Sequence, residues 1–163
     1  MPVRKWGAAM KIVVEKILLP VQGIDALARE AEAEGYHFIP QTLNEWESGK
    51  NRFSGEGEAL LGVYAQVGER AQLVGMGGLT VDPFAGDPGV GRLRRIYVRT
   101  KWRRQGIGET LVTELLRLAA EHFERVRLRA VNAGAAQLYE RFGFVPIDDG
   151  EATHLFELRK AVG

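Results

Sequence analysis

The sequence predicts one α/β domain, a mixed sheet with helices on its faces. Three observations predict it. Two strand-like runs, ALLGVYAQV and AQLVGMGGLTV, stand on either side of GER as a hairpin; the second half then alternates strand, helix, strand, helix, strand. The 163 residues, 45% of them hydrophobic, are enough for one continuous core.

The elements follow in order. KIVVEKILL reads as the first strand. IDALAREAEAEGY places Ile24, Leu27, Ala28, Ala31 and Tyr36 at helical spacing, and Gly35 suits the stop. Thr42 and Glu45 have capping-box spacing before a short stretch around Trp46, and glycine-rich NRFSGEGE after it reads as a mobile covering region. DPFAGDPGVG is a loop. RLRRIYVRT is a strand whose inward residues Leu93, Ile96 and Val98 fall out of step by one, which a bulge near Arg94 and Arg95 explains. From Gln105 to Phe123 the positions Ile107, Leu111, Leu115, Leu118 and His122 mark one helical face. RVRLRAV is a strand, AGAAQLYERFG a short helix with Ala135, Leu138 and Phe142 inward, and ATHLFELRK the closing strand.

Composition removes several classes of function. Lysine and arginine total 22 against 21 acidic residues, so the net charge of +1 supplies no bulk attraction to nucleic acid or anionic membrane. No cysteine is present, which excludes disulfides, thiolate zinc sites and a catalytic thiol and agrees with a reducing cytoplasm, the expected location. No export signal is expected, because Lys11, Glu15 and Lys16 interrupt the first apolar run; residues 1–10 read as a flexible N-terminal extension. No apolar run reaches membrane-spanning length, so a soluble protein is expected. His37, His122 and His154 lack ligand spacing, so no metal is expected. Ser48 and Ser54 sit in no GxSxG elbow, which dismisses a serine hydrolase.

The informative segment is Trp102-Arg103-Arg104-Gln105-Gly106-Ile107-Gly108, a turn between strand and long helix. Its glycines let backbone N–H groups approach an anion, the helix start adds unpaired donors and a positive dipole end, and two arginines suit a diphosphate. The third glycine of a dinucleotide fingerprint is absent, Leu111 standing in its place, and no GxxxxGK loop exists. NAD and ATP lose support. The remaining RxxGxG pattern at Arg103, Gly106 and Gly108 resembles the acyl-CoA pyrophosphate loop of the GNAT superfamily of N-acetyltransferases. NAGAAQLYERFGF resembles that superfamily's later NxxAxxLYxxxGF segment, matching at Asn132, Ala135, Leu138, Tyr139, Gly143 and Phe144, in family order and separation. The resemblance covers roughly residues 72–158; the first third matches in outline only.

This resemblance implies a GNAT-like fold for residues 1–163 as one domain: a central mixed, mostly antiparallel sheet with two splayed parallel strands and flanking helices. Acetyl-CoA would be the cosubstrate, lying between RLRRIYVRT and RVRLRAV, with contacts from Ile96, Tyr97, Val98, Arg103, Arg104, Gln105, Gly106, Ile107, Gly108 and Asn132. An acceptor amine would attack the thioester directly in a ternary complex. Backbone donors near Ile96 and Val98 would steady the oxyanion, worth about 2.7 to 4 kcal/mol per donor. Tyr139 corresponds to the family tyrosine that protonates the departing thiolate, and a phenol of pKa near 10 is protonated at neutral pH. Periodicity alone favours a packing role for Tyr139, which the motif reverses, and Asn132 is equally a plain helix cap. Where the family often carries a glutamate base, this strand has Arg92, Arg94 and Arg95, leaving the base to an ordered water or to Glu45, Asp82 or His37.

The expected acceptor is a small-molecule or peptide amine whose identity the sequence does not give; His37, Phe38, Trp46 and Phe53 could line its pocket, and Glu45 or Glu47 could attract a cation. The family also implies a homodimer. Two alternatives stay open: an acyl-CoA sensor without catalysis, which would not need Tyr139, and a nucleic-acid module using the basic ribbon from Arg92 to Arg104, which the near-neutral charge disfavours.

Overall fold

A computed structural model describes residues 10–158. The extension expected over residues 1–10 lies outside these, apart from Met10, which opens the first strand. The chain runs through Met10–Lys16 (β1), Ile24–Ala33 (α1), Phe38–Ser48 (α2), Ala59–Val67 (β2), Arg70–Val81 (β3) and Val90–Val98 (β4). It continues with a 3-10 turn at Thr100–Trp102, then Ile107–Ala120 (α3), Arg125–Leu128 (β5), Ala133–Phe142 (α4), Val145–Pro146 (β6) and His154–Glu157 (β7). The closing strand is shorter than expected, and the end of ATHLFELRK, from Arg159, lies outside the described residues. No helix among the described residues is long and apolar enough to cross a membrane.

The strands form one sheet in the order β1-β2-β3-β4-β5-β7-β6. Of its pairings only β4 with β5 is parallel, so the sheet is mixed and mostly antiparallel. Alternation along the strands divides two cores. Leu61, Val74, Leu79 and Leu93 face α3; their neighbours Leu60, Leu73 and Met76 face α1 and α2, as does Tyr97. The face of α3 keeps Ile107, Leu111 and Leu115; Leu118 packs at its edge, partly buried, while the fully buried line continues through Ala119 to Phe123 just past the helix, rather than to the expected His122. Steps of four track this helix's contact with the sheet. The helix comes close because β3 has glycine at its crossing point: a Cβ on Gly77 would stand 3.1 Å from Ile96, Leu111 and Leu115.

The expected bulge is present. Met76 pairs with Tyr97 and Gly78 with Arg94, so Gly77 faces two residues of β4, Arg95 and Ile96. Arg95 takes φ 62, and the phase of the side chains shifts there, which restores Ile96 and Val98 to the α3 side. Two expectations in the first third need correction. Thr42 does not cap: α2 starts four residues earlier, and the Thr42 hydroxyl donates to the Phe38 carbonyl at 2.6 Å from within the helix. The segment read as a covering region is anchored in the core, with Phe53 only 4% exposed beneath the sheet at Gly78.

Gly77→Val tests the close approach of α3. Overpacking three neighbours at once should cost about 1 to 3 kcal/mol, read as a lowered urea midpoint with unchanged slope. An unshifted midpoint would mean that α3 is not seated on β3 as described.

Candidate active site

β4 and β5 pair only at Val90↔Arg125, Gly91↔Val126 and Arg92↔Arg127. Beyond Arg92, β4 runs on for six residues while β5 ends at Leu128, so the facing backbone groups of the two strands lose each other. A cleft of about 710 Å³ opens there, walled by the end of β4, the turn before α3, and α4.

Most of the residues singled out in the sequence meet at this cleft. Ile96, Tyr97, Val98, Arg103, Arg104, Gly108, Asn132 and Tyr139 line it. Gln105, Gly106 and Ile107 do not line it by side chain. Gln105 donates to the Lys101 carbonyl at 2.8 Å, and the Ile107 side chain is buried in the α3 core. Gly106 is the residue before α3, at φ 84, where a side chain would be strained; a Cβ there would point into open space. No side chain caps α3 among the described residues, so its first N–H groups keep their hydrogen-bonding capacity for a ligand.

The two turn arginines are placed differently. Arg103 turns back onto the protein: its Nε donates to the Val98 carbonyl at 2.9 Å, and its guanidinium grips Glu34 through both oxygens at 2.8 and 2.6 Å. The bond from Arg103 holds the Glu34 carboxyl below the usual range against some opposing burial. Glu34 also accepts from the Tyr97 hydroxyl at 2.5 Å, while Glu30, one turn earlier, accepts from Tyr97, Arg99 Nε and the Thr100 N–H. Burial and then the Glu34 bond keep Tyr97 protonated. Two carboxylates on α1 therefore fix the end of β4 and the loop after it. Arg104, exposed at φ 60, has no hydrogen-bonded partner among the described residues.

Tyr139 is 7% exposed on α4, packed edge-to-face against Phe144 with ring centroids 5.6 Å apart. Its hydroxyl makes no hydrogen bond among the described residues, and burial pushes its pKa up to about 12. Asn132 caps α4, accepting from the Ala135 N–H at 2.8 Å, and donates to the Tyr36 hydroxyl at 3.2 Å. It joins α4 to the chain after α1, across the cleft.

The carboxylates considered as bases are occupied. Asp82, with a fully buried side chain, accepts from Arg92 at 3.3 Å, Arg127 at 2.9 Å and the Phe84 N–H at 2.7 Å. Burial alone would raise its pKa, but these bonds and charges hold it below the ordinary value. Glu45 pairs with Arg95 at 3.4 Å. His37 precedes α2 at the surface and does not line the cleft. Of the aromatic side chains considered for an acceptor pocket, Phe38 lines the cleft, whereas Trp46 and Phe53 pack in the α1–α2 core. No group of three His, Cys, Asp or Glu among the described residues is arranged to hold a metal ion.

Sequence reasoning missed the α1 carboxylates. Glu30 and Glu34 stand one turn apart, a signal indistinguishable in sequence from a solvated face.

The model of the acetyltransferase (GNAT) family matches residues 22–144, most of the chain. The chain belongs to the GNAT acetyltransferase family. No curated protein matches it. Among solved structures it is similar to a candidate acetyltransferase from Exiguobacterium sp. 255-15, at TM-score 0.78 and 22% identity over 90% of this chain and 93% of that one. It is also similar to a GNAT-family acetyltransferase from Staphylococcus aureus Mu50, at TM-score 0.68 and 15% identity over 91% and 100% of the two chains. The ribosomal-protein alanine N-acetyltransferase of Escherichia coli matches at TM-score 0.65 and 16% identity over 93% and 96%. At these identities the likeness speaks for the fold, and the family match gives acetyl-CoA as the donor used by GNAT proteins.

Asp82→Asn should destabilise the protein by about 3 to 5 kcal/mol, since it leaves Arg92 and Arg127 facing a neutral group in a buried site. Because the folded-state pKa is depressed, the carboxylate's contribution is present above about pH 4 and disappears as pH falls through the folded value. Denaturation between pH 6 and pH 2 should therefore show a smaller acid-dependent loss in the variant. An equal loss would place the acid sensitivity elsewhere.

Proposed function

We propose that the protein transfers an acetyl group from acetyl-CoA to a primary amine by direct attack in a ternary complex. The observation that carries this is the cleft between the parted ends of β4 and β5, with the uncapped start of α3 at its rim and the Tyr139 hydroxyl in its wall.

The residues present fit acetyl-CoA. Gly106 and Gly108 leave the first turn of α3 open to a diphosphate, and Arg104 supplies an uncommitted cation beside it. Arg103 acts one step back, holding the turn through Glu34 and Val98. Beyond the bulge, Ile96 and Val98 lack a β5 partner; the Val98 carbonyl is taken by Arg103, and the N–H groups there would hold the pantetheine arm and the thioester carbonyl. Asn132 keeps α4 in position, and Tyr139 gives its proton to the departing thiolate. With its pKa near 12, Tyr139 remains a proton donor throughout the working range. No carboxylate lines the cleft, so the amine proton leaves through water.

A second reading, an acyl-CoA sensor, keeps the turn and dispenses with Tyr139. Tyr139→Phe separates the two: turnover should fall about 10²- to 10⁴-fold with acetyl-CoA affinity, measured by calorimetry, nearly unchanged. Unaltered turnover would remove Tyr139 from the mechanism, and an absence of turnover in the parent protein with intact acetyl-CoA binding would favour the sensor. Gly106→Val should abolish acetyl-CoA binding while the protein remains folded, because a branched side chain would fill the space beside the first turn of α3. Normal affinity in the folded variant would sink the assignment of the turn.

A further inference from the structure

Among the described residues, the cleft is lined by six arginines and by no aspartate or glutamate. Four of the six are bound by protein groups, and a fifth, Arg104, is the cation of the proposed diphosphate turn. Arg92 is bound by Asp82 and the Glu151 carbonyl, Arg95 by Thr42, the Phe38 carbonyl and Glu45, and Arg103 by Glu34. Arg129 donates to the Gly150 carbonyl, and Arg104 stands at the turn before α3. Arg94 is the exception. It is half-buried beside the bulge, yet it has no hydrogen bond or ion pair among the described residues. Burial and the adjacent charge of Arg95 both disfavour its protonated form; Glu45 and Asp82 act on it through space, but each is bonded to other arginines.

Position separates Arg94 from the diphosphate turn. It pairs with Gly78, on the sheet face that Phe53 covers, and Val98, after which the turn begins, is four residue steps further along the strand, about 13 Å at ordinary strand rise. An anion at the uncapped start of α3 therefore does not neutralise it. The second substrate must enter the same cleft, where the planar fork of a guanidinium matches a carboxylate through two parallel hydrogen bonds.

We propose that the acceptor is an amine that carries a carboxylate, of amino-acid type, and that Arg94 is the side chain that recognises this carboxylate. The inference rests on the acetyltransferase reading and gives it a substrate class. Arg94 is a specificity residue, placing the amine by its far end.

The test compares turnover of each proteinogenic L-amino acid with that of its α-carboxamide, by thiol release with acetyl-CoA, in the parent protein, Arg94→Gln and Arg94→Lys. At least one acid should be preferred over its amide by about 10- to 100-fold in kcat/KM, the loss expected for one charge-assisted contact. Arg94→Gln should bring that ratio towards one, mainly through KM, and Arg94→Lys should retain part of it, because the charge stays while the fork is lost. Acetyl-CoA affinity of each variant, measured alongside, checks that it is folded. The inference is overturned if no amino acid is turned over, if amides match or exceed acids, or if the ratio survives Arg94→Gln. Should the parent protein fail to bind acetyl-CoA, the acetyltransferase reading falls and this inference with it; bound acetyl-CoA without acid preference overturns this inference alone.

Discussion

The site depends on the early end of one parallel strand pair. Three rungs join β4 to β5, and then the strands separate. In an ordinary sheet, the N–H and C=O groups of Leu93 to Val98 on that side would be used up by a neighbour. Here they border a cleft instead. The bulge at Arg95 and Ile96 adds to this, since an extra residue increases local bend and twist and turns the end of β4. The same residue fixes the bent strand from the other side: the Arg95 guanidinium reaches the Phe38 carbonyl, Thr42 and Glu45, fastening β4 to α2 just where sheet pairing no longer holds it.

A strand that has lost one neighbour is held in place here by charged side chains. Glu30 and Glu34 on α1 gather Tyr97, Arg99, Thr100 and Arg103, the residues that lead from β4 into the turn before α3. These bonds are partly exposed, and pairs of that kind contribute little one at a time. Their effect is geometric. Several contacts from one helix leave the loop a single position, and so set where Gly106 and the start of α3 stand relative to Val98. Asp82 does the same at the other end of the cleft, where Arg92 and Arg127 converge on one fully buried carboxylate at the last rung of the parallel pair.

The sequence made the sheet, the bulge and the turn legible because each leaves a local trace. The phase slip from Leu93 to Ile96 reports an extra residue wherever the strand lies, and glycine in the Gly106 position reports a left-handed backbone. Thr42 and the face of α3 were misread for a related reason: a threonine followed three residues later by a glutamate fits both a cap and a helix interior, and Leu118 and Ala119 are both three or four residues from Leu115. Only packing against the sheet chooses between them. The division of labour among the arginines was not legible. Arg92, Arg94, Arg95, Arg103 and Arg104 look alike in a list of residues, and their roles differ through carboxylate partners 10 to 69 positions away or absent altogether.

That division also bears on how an amine could lose its proton in a cleft without a carboxylate in its lining. A cation entering beside arginines meets repulsion that a neutral amine does not, so the surroundings lower the pKa of the incoming ammonium group. Glu34, Glu45 and Asp82 are bound to arginines and offset this only in part, and under the proposed reading the substrate's own carboxylate is engaged by Arg94. The positive lining thus favours the nucleophilic form of the acceptor, and it is also suited to the negative charge that develops on the thioester oxygen during attack. Under the proposed reading, arginines on β4 in place of an acidic base shift the burden of deprotonation from a single side chain to the field of the cleft, with water carrying the proton away.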